Sequence, residues 1–125
     1  MAYEIMWETG GVSKRFHGHV SDDELIQSLV QVESDPRFDS IRYVINDFLD
    51  VEDFTVSEDG VLMASAIDRG AAQSNPHIRI AVVATDSQIH ELARVYAASP
   101  VNAYPTEVFL NDGEARRWVS ATPVQ

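Results

Sequence analysis

The chain has 125 residues, 45% hydrophobic and 23% charged, which fits one domain spanning 1–125 with enough apolar mass for a core. Its formal charge is −11 and Lys14 is its only lysine, so its field repels phosphate backbones and anionic lipid and argues against a nucleic-acid partner. The absence of cysteine removes disulfides, thiolate metal sites and thiol catalysis and fits a reducing cytoplasm.

No apolar run nears the roughly 18 residues that a membrane helix needs, and the opening MAYEIMWE carries acids where a secretion signal carries bases. From Tyr3, YEIMWE alternates polar and apolar residues and predicts a half-exposed strand. Thr9-Gly10-Gly11 is a tight-turn signal, and GVSKRFHGHV continues as the second strand of a hairpin. Ser21 opens a helix, with Glu24 at capping-box spacing and Asp22 and Asp23 on the positive helix end. Leu25, Ile26, Leu29, Val30 and Val32 give it a wide apolar face, and Asp35-Pro36 stops it.

IRYVIND, residues 41–47, predicts a third strand covered on both faces. A second helix is predicted over 56–73. Gly60, Met63, Ala64, Ile67, Gly70 and Ala71 recur there at helical spacing, and Gly60, which costs roughly 1 kcal/mol against alanine, points to close packing or a turn. Beyond Asn75-Pro76, IRIAVVATD is the clearest strand. Thr85 and Gln88 have capping-box spacing for a third helix carrying Ile89, Leu92, Ala93 and Tyr96. TEVFLN predicts a fifth strand, and Asn111 with Glu114 caps a last short helix. The order β-β-α-β-α-β-α-β-α predicts an α/β domain with a mixed five-stranded, mostly parallel sheet, right-handed crossovers and flanking helices. No repeats, linkers or low-complexity segments interrupt it.

This order, together with RFDSIRYVINDFLDV, NPHIRIAVVATD and YPTEVF…EARRW, resembles the small bacterial SpoIIAA-like proteins of the STAS superfamily, which includes anti-sigma factor antagonists. The resemblance runs from the hairpin to Trp118. It implies a five-stranded sheet with an antiparallel edge strand and a regulatory role exercised by binding. In the antagonists a serine at the start of the helix after the third strand, within an Asp-Ser-Ser-Gly-like turn, is phosphorylated by a partner kinase. Here the matching stretch reads FTVSEDG, without that motif, and Ser57 is the nearest candidate phosphorylation site.

Ligands of parallel sheets sit at the carboxyl edge. That edge collects Asp47, Thr85, Asp86, Asn111 and Asp112, with Asp50 nearby. A hard cation takes such oxygens, but Asp, Asn and Thr are equally the residues that start helices. His17 and His19 share a strand face, yet two ligands are too few for zinc, and His77, His90 or a carboxylate would have to join them. There is no G-x-S-x-G elbow and no glycine-rich phosphate loop. The expectation is therefore no catalytic residue, no metal and no cofactor.

The remaining anomaly is RYVINDFLDVEDFTVSEDG. Between Asp47 and Asp59 the carboxylates of Asp47, Asp50, Glu52, Asp53, Glu58 and Asp59 stand without a base, among Phe48, Leu49, Val51 and Phe54. A solvated connection seldom spends large apolar residues in this way. Phe48, Leu49, Asp50, Val51 and Phe54 are therefore the candidate partner-binding residues, for a basic protein or a second copy of the chain. The resulting expectation is a non-enzymatic, cytoplasmic STAS-type interaction domain. The alternative is a domain binding a small apolar or lipid-like ligand, and a small hydrolase would need a carboxylate pair meeting in a cleft. Docking calls for an exposed apolar patch, ligand binding for an enclosed apolar cavity, and catalysis for a cleft holding carboxylates of shifted pKa.

Overall fold

A computed structural model describes residues 2–121. Strands β1 (Tyr3–Glu8) and β2 (Gly11–Val20) form an antiparallel hairpin. Its turn is closed by Gly10 at φ +82°, a left-handed conformation that glycine adopts without strain. Gly11 pairs with Tyr43 across the sheet, and the Tyr43 ring lies over the glycine where a Cβ would fall. β2 then pairs in parallel with β3 (Tyr43–Phe54), β3 with β4 (Arg79–Val83), and β4 with β5 (Thr106–Phe109), in the order β1-β2-β3-β4-β5. The predicted architecture, mixed and mostly parallel with one antiparallel edge strand, is the observed one.

Three crossovers between sequential parallel neighbours place α1 (Asp22–Glu33), α2 (Glu58–Ala71) and α3 (Ser87–Ala98) side by side over one face. Beneath them lie Val12, Phe16, Val44, Phe48, Ile80 and Val82. The other face, with Ile45, Ala81 and Val83, is covered by Ala115 and Val119 of α4 (Asp112–Val119). Arg116 of α4 ties back to the hairpin through Glu8, donating to both carboxylate oxygens at 2.9 Å. A 3-10 turn at Pro36–Ser40 leads into β3. Its last carbonyls, those of Phe38 and Ile41, accept from the buried Asn75 side chain at 2.8 Å each.

The helix starts follow the side chains. The Glu24 carboxylate accepts from Ser21 N–H at 3.1 Å and from the Ser21 hydroxyl, the predicted capping box. Ser57 caps α2, accepting from Gly60 N at 3.0 Å. Asn111 caps α4 through Glu114 N at 2.9 Å. The third helix corrects the sequence expectation. Its cap is Asp86 rather than Thr85, with Asp86 Oδ1 accepting from Gln88 N at 2.8 Å and Ile89 N at 3.1 Å. The close packing expected at Gly60 is also there, since a Cβ at that position would collide with the Asp22 carboxylate.

The largest departure lies in β3, which runs on through Phe54 instead of ending at Asp47. Two register shifts against β2, between Arg15 and His17 and between Gly18 and His19, each insert one extra residue on the β3 side. They bring Phe48, Val51 and Phe54, spaced by three, onto the helix-covered face together. A regular strand would send residues three apart to opposite faces.

Candidate functional site

At the carboxyl edge the oxygens have structural work. Asp47 is buried, and its Oδ1 accepts from Leu49 N at 2.9 Å, where β3 leaves the β4 ladder. Asp86 and Asn111 are occupied as helix caps. His19 leans on Thr55 Oγ1 at 2.8 Å and lies 3.9 Å from Asp53, while His17 pairs in register with Asp50. Among the described residues, no three His, Asp or Glu side chains converge as a metal site would require.

The candidate docking residues divide by face. Phe48 is buried, stacked on Phe16 with ring centroids 4.6 Å apart. Phe54 meets Phe48 edge-on at 5.6 Å, and Val51 packs beside them, both half-buried. Phe48 therefore belongs to the core, not to a contact surface. Leu49 is 44% exposed, and Asp50, Glu52 and Asp53, which follow it along the strand, are exposed as well. Beyond Asp47, no described strand pairs with β3 on the side where β4 ends. This end of the strand is an acidic, partly apolar ledge with a free lateral edge.

Ser57 is exposed at the start of α2. Its hydroxyl donates to Asp22 Oδ2 at 2.6 Å, and its N–H donates to Asp22 Oδ1 at 2.8 Å. Asp22 thus latches the start of α1 to the start of α2, which explains why position 60 has room only for glycine.

A second feature lies between the sheet and α1–α3. A cavity of about 100 Å³ is walled by apolar side chains that include Leu25, Leu29, Phe54, Val61 and Leu92. Its polar lining comes from Lys14, Glu33, Asn46, Asp68, Tyr96, Tyr104 and Thr106. Lys14, the sole lysine, is buried and donates to Ser28 Oγ at 3.2 Å. Burial pulls its pKa down to about 8, against the pull of Asp68 and Glu33. Burial, and then the hydrogen bond and charge of Asp68, push Glu33 up to about 9, so it carries a proton near neutrality. The Tyr96 hydroxyl donates to Asp68 Oδ2, and burial followed by the Asp68 charge raises its pKa. Burial likewise raises Tyr104, whose hydroxyl donates to the Asn75 carbonyl at 2.8 Å. The buried Asn46 Oδ1 has no hydrogen-bond partner.

Sequence reasoning missed this cluster, although the signal was there. Lys14 falls between Val12 and Phe16 on the buried face of β2, and Asn46 lies between Val44 and Phe48. Both occupy positions where period two asks for an apolar residue. Asp68 stands at helical spacing from the buried Val61 and Ala64.

A scan against protein-family models finds no match, and a search of curated proteins finds none either. Solved structures do match. The anti-sigma factor antagonist SpoIIAA in its unphosphorylated form aligns with a TM-score of 0.65 at 12% identity, covering 97% of this chain and 100% of that one. The phosphorylated form of the Bacillus cell fate determinant SpoIIAA gives 0.62 at 12% identity, over 94% and 99% of the two chains. An uncharacterized DUF3478-family protein from Shewanella loihica PV-4 gives 0.55 at 15% identity, over 94% and 92%. The chain shares the SpoIIAA-like fold with these structures.

Proposed function

We propose that this protein is a non-enzymatic regulatory domain of STAS type that works by docking a protein partner on the far end of β3 and the start of α2. The observation that carries this reading is the ledge itself. Leu49, whose N–H donates to Asp47, is exposed, is followed along the strand by the exposed Asp50, Glu52 and Asp53, and stands next to a strand edge that no described strand covers. A partner suited to it presents an apolar side chain within a basic rim. Phe48 and Phe54 serve from beneath, fixing the bulged backbone. SpoIIAA, which shares the fold, is an anti-sigma factor antagonist with phosphorylated and unphosphorylated forms. By analogy Ser57 is the switch position, where a phosphate would face Asp22 in place of the present hydrogen bond and open the latch between α1 and α2.

The test is a pair of variants, Leu49→Arg and Asp50→Lys, each reversing the ledge's chemistry without touching the core. Loss of self-association in sedimentation, or of a recovered partner in pull-down, with an unchanged melting curve supports docking there. Undiminished association rejects it.

One observation favours a second reading, a binder of a small, largely apolar ligand, and that is the cavity beneath α1–α3. The Glu33–Asp68 pair in its lining is also the arrangement a hydrolase would need. The charge cluster is more readily understood as self-contained: the proton Glu33 retains is shared with Asp68, which in turn accepts from Tyr96.

A further inference from the structure

Across the middle of the sheet runs one register row, Ile5, Lys14, Asn46, Val82 and Val108. Three members are the apolar residues that a helix-covered sheet face calls for. The two at the centre are an ammonium and an amide, side by side on adjacent strands and both lining the cavity. A buried polar group without a partner bears its whole desolvation cost, so the contents of this pair's hydrogen bonds matter.

The other polar groups of the lining are accounted for. Tyr96 donates to Asp68, Glu33 shares a proton with Asp68, Tyr104 donates out of the cavity to Asn75, and Thr106 donates to the Tyr104 carbonyl. Two capacities bear on what the cavity could hold. Asn46 Oδ1 is an acceptor with no donor, and Lys14 Nζ, a triple donor, has one hydrogen-bond partner among the described residues, Ser28. One acceptor short of a donor, beside one donor with capacity to spare, matches a hydroxyl, which accepts and donates through a single atom. Charge narrows the choice further. An anionic head would lie against Asp68, and a cationic head against Lys14. The volume of about 100 Å³ far exceeds the roughly 10–15 Å³ that one water requires, and most of the walls are apolar.

Resting on the second reading above, we propose that the cavity binds a small neutral alcohol. A compact hydrocarbon body would lie against Leu25, Leu29 and Leu92, and its hydroxyl would accept from Lys14 Nζ and donate to Asn46 Oδ1.

The experiment titrates the full chain with four probes of nearly equal size, benzyl alcohol, ethylbenzene, benzylamine and benzoate, followed by amide chemical shifts. The expected result is saturable binding of benzyl alcohol with shifts centred on β2, β3 and α1–α3. It should be about tenfold tighter than ethylbenzene, with the two charged probes weaker than the alcohol. Asn46→Leu, checked for an intact spectrum, should bring benzyl alcohol down to the level of ethylbenzene. Ethylbenzene binding as tightly as the alcohol overturns the hydroxyl assignment while leaving an apolar cavity site standing, and preference for benzoate or benzylamine overturns it in favour of a charged head. If no probe saturates, the cavity holds water only, and the ligand reading falls with the inference.

Discussion

Burial shifts Lys14 and Glu33 in opposite directions, and each leaves a separate mark on stability. The Glu33 carboxyl, raised from its ordinary 4.5 to about 9, keeps its proton in the folded chain across a window where the unfolded chain has released it. Folded and unfolded forms bind equally below that window, so this group's contribution to stability is highest there and declines as pH rises from 4.5 toward 9. Lys14, lowered from 10.5 to about 8, gives the opposite slope above pH 8, where the folded chain has already lost the proton that the unfolded chain still holds. Glu33→Gln keeps a neutral side chain that can donate and removes the first titration. The variant should gain on the wild type steadily as pH rises through the lower window, read from urea midpoints; a constant difference between the two would contradict the assignment. A second residue-level contrast separates core from ledge. Phe48→Ala should lower stability by about 3–5 kcal/mol, whereas Leu49→Ala should change it by no more than about 1 kcal/mol, as measured by chemical denaturation. The sequence marked both positions as apolar but could not tell them apart, because only the bulges decide which of two neighbours faces inward.

At the level of elements, β3 and α2 carry what is distinctive. The spacing of Phe48, Val51 and Phe54 obscured the strand, since three is neither the period of a strand nor a helical face repeated long enough to recognise. A bulged strand can be inferred from such spacing only once its partner's register is known, and that is long-range information. The helix caps were more legible, because a cap is a contact between residues three apart; Ser21 and Asn111 act as their spacing suggests, and Ser57 caps α2 as well. Asp86 displaced Thr85 because β4 ends at Val83 and the helix starts a residue later than the capping-box pattern implied. The latch at the start of α2 gives a direct test. Ser57→Ala removes both the cap and the hydroxyl bond to Asp22 and should cost about 1–2 kcal/mol. Gly60→Ala should cost at least as much, by driving the Asp22 carboxylate aside, even though alanine favours a helix. Thermal denaturation of the two variants checks this, and a stabilised Gly60→Ala protein would contradict the close approach.

For the whole molecule, alternation of strand and helix was enough to give a mixed, mostly parallel five-stranded sheet with right-handed crossovers and flanking helices, while the spatial order β1-β2-β3-β4-β5 came from the structure. Composition foretold an acidic molecule but not where its interior departs from apolar; the lone lysine proved to be a buried charge rather than a surface one. The acidity of the ledge at β3 adds to a net charge of −11, so a basic partner docking there should associate faster at low salt and lose affinity as ionic strength rises, whereas a second copy, equally acidic, should associate better as salt is added. The most direct measurement places a photo-crosslinking residue at Leu49 and, in a second protein, at Val101. These sites are comparably exposed, at 44% and 41%, and Val101 lies in the loop before β5. Illumination in the native cell should give discrete covalent adducts, to another protein or to a second copy of the chain, from Leu49 and not from Val101. Adducts from Val101 with none from Leu49 would contradict docking on the third strand.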